Sequence, residues 1–517
     1  MKSKIARYRI LFVFIVLMFS SCSESFLDTP QTGVTIESEF YKTDEQALQG
    51  LMAVYDQLQG ELTYLYMQMA LSDECYAGGG QRGDNGGVVE EINEFRFGPS
   101  NTGVRNYFSW NYSGIYRANK VIDNVSPDSE NKRFYIAIAK TIRAFHYFNL
   151  VTSWGEVPLV LHELKAEEYS QPRKSRNLIW AQIEKDLTEA IIDLPVKSEL
   201  PSLIRNLASR GTAESLLGKV FLFQKKYDAA AEIFLLVINS GEYDLYPDFS
   251  KILRPESENG IESVFEVSFT TSKNYITNPG PESSLFVKLS SPRESYFEPG
   301  TYGIIPGWGF YNPRESLYDA FNEAKDTVRR KASIISEAEL IAAGGKLRNI
   351  NGNLPYANDG YIKLKYIMYD KDGGLPQSNA NNGTNTRIIR YADVLLMAAE
   401  ANNRKPVPDD IRALKYINRV RSRVSLPALN STGDALFAAI KNERRLELAF
   451  EAVRFMDLMR WGDAYEALKL QGKEVPLGTG SILYFSEAGY KQSKNELLPI
   501  PETEMNVNLE MVQNPGY

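Results

Sequence analysis

The chain has 517 residues, a formal net charge of −7, 24% charged residues, two cysteines and two histidines. The length calls for one large domain or two interleaved layers rather than one simple core. The acidic balance argues against a nucleic-acid partner, two cysteines cannot build a disulfide framework, and two histidines without neighbouring ligands do not make a zinc site.

At the N-terminus Lys2, Lys4, Arg7 and Arg9 precede an apolar run from Ile10 to Phe19, closed by Ser20-Ser21-Cys22. These are the parts of a secretory signal, and the run is too short to span a bilayer, which takes roughly 20 residues. Phe19-Ser20-Ser21-Cys22 resembles a bacterial lipobox, with Phe where Leu is more usual. Cleavage before Cys22 would free its amine and thiol to carry lipid. The alternative is ordinary cleavage nearby, leaving Cys22 a free thiol in an oxidising compartment. The expected organisation is a signal peptide at 1–21, a lipid-anchored tether at 22–37, a helical region at 38–242, a loop-rich region at 243–390 and a second helical region at 391–517.

Helical periodicity begins near Glu37. Ala47, Leu51, Val54 and Leu58 form one buried stripe, and further helices are predicted over 104–125, 135–154 and 177–194, the last stopped by Pro195. His146 falls inside one of these helices and His162 follows an apolar run; both read as structural. Cys75 has no partner and is expected to be buried.

From Leu217 onward the pattern is sharper. Leu217, Gly218, Phe221, Tyr227, Ala230, Phe234 and Val237 stand at the spacings of a tetratricopeptide unit. Gly218 and Ala230 let two helices approach, Leu217, Phe221 and Phe234 fill the space between them, and Lys225 to Asp228 make the turn. Looser pairs are predicted between 146–154 and 183–194, and between 391–401 and 411–424. Such pairs stack into a solenoid, a scaffold rather than a catalyst.

Between about 243 and 390 Gly, Pro, Asn and Ser rise and the helical period fades, with short β-like runs at 263–269 and 361–368. Two loops stand out. Residues 72–87 are Gly-rich without the spacing of a phosphate-binding loop, and present Arg82, Asp84 and Asn85, planar polar groups able to pair with sugar hydroxyls. Asp73, Glu74 and Asp84 could alternatively hold a calcium ion. Residues 295–311 alternate aromatics with Gly and Pro, a composition that exposes rings for stacking on sugars. Glu443, Glu447 and Glu451 fall at i, i+4 and i+8, interleaved with Arg444, Arg445 and Arg454. They read as a salt-bridged helix rather than as a glycosidase pair, because ion pairing lowers carboxyl pKa values and a general acid needs the opposite.

Four stretches together resemble the SusD/RagB family, outer-membrane nutrient-binding lipoproteins of Bacteroidetes. They are Cys22 with 26–30, Arg390 to Leu396 with Glu400-Ala401, Glu443 to Trp461-Gly462, and Leu498 to Pro501 with the terminal 513–517. Ala452 departs from the pattern, where the family usually has Gly. The resemblance implies a mainly α fold, four tetratricopeptide-like units supporting a loop-rich ligand-binding half. It also implies a lipid-anchored cell-surface protein of the outer membrane, without cofactor or catalytic activity. Such a protein binds an oligosaccharide or other glycan and delivers it to a TonB-dependent (SusC-like) transporter. The family's binding surface corresponds in order to the two loops, which points to Tyr76, Arg82, Asp84, Asn85, Tyr296, Tyr302 and Trp308. A peptide or other non-glycan nutrient, or a surface glycoside hydrolase, are the alternatives.

Overall fold

The computed structural model describes residues 40–201, 204–270, 283–372 and 382–517. The expected signal peptide, Cys22 and the expected tether lie outside them. The scaffold helices are α1 (Asp44–Leu58), α2 (Leu62–Ala70), α3 (Thr102–Asn124), α4 (Glu130–Trp154), α5 (Arg176–Asp193), α6 (Arg210–Phe223), α7 (Tyr227–Asn239), α8 (Tyr391–Arg404), α9 (Asp410–Arg423), α10 (Gly433–Glu447) and α11 (Arg454–Trp461).

Their starts follow from local chemistry. Thr43 caps α1 and Gln46 bonds back to its backbone, a capping box; Asn101 and Ser129 accept from the first turns of α3 and α4. Ala47, Leu51, Val54 and Leu58 are all fully buried, the stripe read from the spacing.

The helices pack as four pairs: α1 on α3, α4 on α5, α6 on α7 and α8 on α9. Adjacent pairs touch through α3 and α4, α5 and α6, and α7 and α8. The mainly α, tetratricopeptide-like expectation therefore holds, with one feature periodicity does not show: the third and fourth pairs are neighbours although some 150 residues separate α7 from α8 in sequence. In the third pair a Cβ on Gly218 would stand 2.5 Å from the Phe234 ring, so only Gly allows this approach. The turn is 224–226, with Lys225 at φ 59°, and Tyr227 and Asp228 already belong to the second helix.

The long excursion between α7 and α8 is tied to the scaffold by β1 (Ser263–Val267), which pairs antiparallel with β4 (Thr386–Arg390), Ser263 opposite Arg390 and Val267 opposite Thr386. Strand β4 runs straight into α8, whose N-cap is Arg390. Within the excursion β2 (Ile334–Ser336) pairs with β3 (Tyr361–Lys363), shorter than the predicted run to 368. A small second core forms there around Phe297, Ile304, Leu340 and Ile362.

His146 is buried in α4 with Nδ1 3.1 Å from the Asn111 side-chain oxygen, and burial pushes its pKa down to about 3. His162 is exposed and pairs with Glu168 at 3.0 Å. Cys75 is a buried free thiol donating to the Met69 carbonyl, its pKa pushed up to about 12 by burial.

Candidate functional site

The two loops are zipped together. The Tyr76 N–H donates to the Asn312 carbonyl at 2.8 Å, the Tyr311 N–H to Ala77 at 2.8 Å, the Gly79 N–H to Gly309 at 2.7 Å and the Arg314 N–H to Glu74 at 3.0 Å. This antiparallel ladder lays residues 74–79 along 309–314. Gly78 is what permits it: its φ is +74°, and a Cβ there would lie 2.3 Å from the Gly309 carbonyl oxygen.

One residue carries the contact beyond the ladder. The half-buried Arg293 donates to the Trp308 carbonyl, and its guanidinium packs on Gly80, 2.6 Å from where a Cβ would stand. The Gly80 N–H in turn donates to Asp84 Oδ2 at 2.7 Å, and the adjacent Asn85 donates to the Tyr66 hydroxyl at 2.6 Å. Trp308 is 38% exposed and Asn85 is exposed, while Arg293 is half-buried where the two loops meet.

The remaining residues singled out in the sequence have these positions. Arg82, its side chain 31% exposed, is committed to protein partners: it pairs with Glu94 at 2.8 Å, donates to the Tyr356 hydroxyl at 3.0 Å and lies over the Phe485 ring at 4.2 Å. Asp84 closes its own loop through the Gly80 and Gln81 amides. Tyr76 is half-buried against Tyr356 and Val475, with the Arg314 guanidinium 3.9 Å from its ring centre. Tyr296 is half-buried at a turn closed by its N–H donating to Arg293. Tyr302 rests on the small core around Phe297 and Ile304. Arg293 and Tyr66 were not singled out from sequence. Neither sits in a motif, and their place depends on partners far along the chain.

The acidic residues weighed for calcium are separately committed. Asp73 is clamped by Arg454 through two bonds of 2.8 and 2.9 Å, and Glu74 accepts from the Phe450 N–H at 2.9 Å. Among the described residues no group of three or more His, Cys, Asp or Glu side chains is placed to hold a metal ion.

Glu443, Glu447 and Glu451 do form an ion-pair network, but not with the arginines beside them. Five cations (Arg329, Lys365, Arg390, Arg421 and Arg423) meet five carboxylates (Glu262, Asp326, Glu443, Glu447 and Glu451). Arg329 reaches Glu443 at 2.6 Å and Glu447 at 3.0 Å; Arg390 reaches Glu451 at 2.7 Å and Glu447 at 3.1 Å. Arg444 instead pairs with Asp393 and Asp457, and Arg454 with Asp73. The reason is helical geometry: sequence neighbours point to different faces. Although burial opposes ionisation, Arg423, Arg390 and Arg329 together hold Glu447 well below the usual carboxylate range.

Residues 335–517 match a protein family described as the SusD family, and residues 81–222 match one described as starch-binding associating with outer membrane. A solved structure described as a laminarin-binding SusD-like protein superposes with a TM-score of 0.80 at 30% identity, covering 92% of this chain and 100% of its own. Surface glycan-binding protein A from Bacteroides fluxus superposes with a TM-score of 0.75 at 25% identity, with coverage of 92% and 100%. A SusD-like protein of Formosa agariphila is 28% identical over 99% of this chain and 100% of its own.

Proposed function

This chain belongs to the SusD family, and on that premise we propose that it binds an oligosaccharide or polysaccharide at the outer-membrane surface and delivers it to a partner TonB-dependent transporter. The observation that carries the reading is the zipped loop pair, which leaves Trp308 and Asn85 exposed and holds Arg293 half-buried where the loops meet. The face of Trp308 can cover the apolar face of a sugar ring, burying area worth about 25 cal/mol per Å². Asn85 and Arg293 offer planar polar groups able to pair with sugar hydroxyls. Tyr296 and Tyr302 extend the aromatic surface along the same loop. Tyr76 joins the ladder, Asp84 closes its own loop, and Arg82 ties that loop to Glu94 and Tyr356. So small a set of anchors supports weak, micromolar to millimolar, binding.

The names of the relatives support a glycan and make laminarin the first probe. The hydrolase alternative finds no support in the 443–451 carboxylates, since a general acid needs a raised pKa and Glu447 has a lowered one. The anchor at Cys22 and the transporter partner rest on the family resemblance and the lipobox-like pattern. Calorimetric titration with laminarin and a panel of other glycans tests the ligand class. A panel without hits, followed by binding of a peptide, would replace the glycan reading. For the anchor, Cys22→Ala is expected to move the protein out of the membrane fraction.

A further inference from the structure

A groove of about 500 Å³ runs between α10 and α11, within the range of about 300–1,000 Å³ that small-ligand sites use. Ala438, Lys441 and Arg445 line it from α10, at i, i+3 and i+7 and so on one helical face. Arg454, Leu458 and Trp461 line it from α11. Most of its charges are matched within the protein. Lys441 pairs with Asp463 at 2.7 Å, Glu466 pairs with Lys469, and Arg454 holds both oxygens of Asp73 at 2.8 and 2.9 Å.

Arg445 is the exception. Its Nε is buried without a hydrogen-bond partner. Its one ion pair is loose, Nη2 standing 3.8 Å from Asp73 Oδ2, an oxygen that Arg454 already holds. Two guanidiniums thus share one carboxylate. Only 19% of the Arg445 side chain is exposed, and what is exposed faces the groove. A cation so largely removed from water is ordinarily paired with an anion. Burial, with Arg454 beside it, pulls the Arg445 pKa down, and Asp73, Glu74 and Glu323 do not offset this. Arg445 therefore has room beside it for an anion that the protein itself does not supply.

We propose that this groove is a binding site for an oxyanion, which pairs with the Arg445 guanidinium. A carboxylate and a sulfate group share the chemistry required, since either presents two oxygens to the planar fork of an arginine. Trp461, half-buried in the same groove, gives a ring that carries the carboxylate an apolar face to rest on. The site is separate from the loop surface, because Trp308, Asn85 and Arg293 take no part in lining it.

Calorimetric titration of the whole protein with sodium acetate, sodium D-glucuronate and sodium sulfate, at constant ionic strength, tests this. Saturable binding of at least one of the three anions is expected. Tightest binding of D-glucuronate would assign the site to a ring-bearing organic acid, and tightest binding of sulfate to a sulfate group. Arg445→Gln is expected to weaken the binding at least about tenfold, the loss of a charge-assisted, two-oxygen contact. Arg445→Lys keeps the charge without the fork and should also weaken it, so it carries the test should the Gln variant lack a cooperative unfolding transition. Trp308→Ala should leave anion binding unchanged, which separates this site from the loop surface. Absence of saturable binding with all three anions, as in a groove holding water alone, would overturn the proposal. So would a folded Arg445→Gln protein, or in its place Arg445→Lys, that binds like the wild type.

Discussion

Ala452 shows how much a single position says. The sequence shows only that it departs from the family pattern, where Gly is usual. In the structure it is a backbone matter: Ala452 has φ +60°, where a Cβ costs about 1–2 kcal/mol and Gly costs nothing. Ala452→Gly should therefore stabilise the protein by about 1 kcal/mol in urea unfolding, against the usual sign for introducing a glycine. Two buried titratable groups act oppositely on pH. His146 is neutral in the fold, with a pKa near 3, while the unfolded chain takes up a proton near 6.5, so its contribution is lost as pH falls from 6.5 towards 3. Glu74 is pushed up to about 7 by burial, so the fold retains its proton and the contribution is lost as pH rises from about 4.5 to 7. The two offset each other over much of that window. Glu74→Gln should gain stability relative to wild type as pH rises through 7, by at most about 3 kcal/mol, while His146→Asn should lose less than wild type on acidification. Parallel stability curves for the variants and the wild type would refute this account.

At the scale of elements, the third helix pair was legible because its signal is local. Gly218, Ala230 and Phe234 lie within 17 residues and meet across one short turn. Gly218→Ala is expected to cost about 1–3 kcal/mol through overpacking against Phe234, and Phe234→Leu in the same chain should recover part of it. A fully additive double mutant would mean the two do not meet. The ion-pair network shows the opposite case. That Glu443, Glu447 and Glu451 are paired could be read from their basic surroundings. Most of their partners could not, because Arg329, Lys365 and Arg390 arrive from elements 57 to 118 positions away. Periodicity names the face of a helix and is silent on what packs there.

At the scale of the whole molecule, the network is where the loop-rich half is fastened to the scaffold. Arg329 and Lys365 come from the excursion, Arg390 from its exit strand, and Glu443 and Glu447 from α10. Removing one partner leaves charge buried without compensation, so Glu447→Gln should cost about 3–5 kcal/mol. The native carboxylate is held ionised, so this contribution is present at neutral pH and is lost on acidification below the ordinary carboxylate range. The variant should accordingly show a shallower acid transition. The loops beyond this joint were legible as loops from composition, and Trp308 and Asn85 as candidates within them. That the loops form one ladder, that Arg293 bridges them and that Arg82 is tied to Glu94 and Tyr356 depend on Asn312, Gly80, Glu94 and Tyr356, which no local pattern connects.

The central claim is that the zipped loops are the glycan surface, and a calorimetric comparison of wild type and Trp308→Ala against laminarin and the glycan panel tests it most directly. The account predicts micromolar to millimolar binding to at least one glycan by the wild type, at least about tenfold weaker binding by Trp308→Ala, and a cooperative unfolding transition in both proteins. Equal glycan affinity in the two proteins would contradict it.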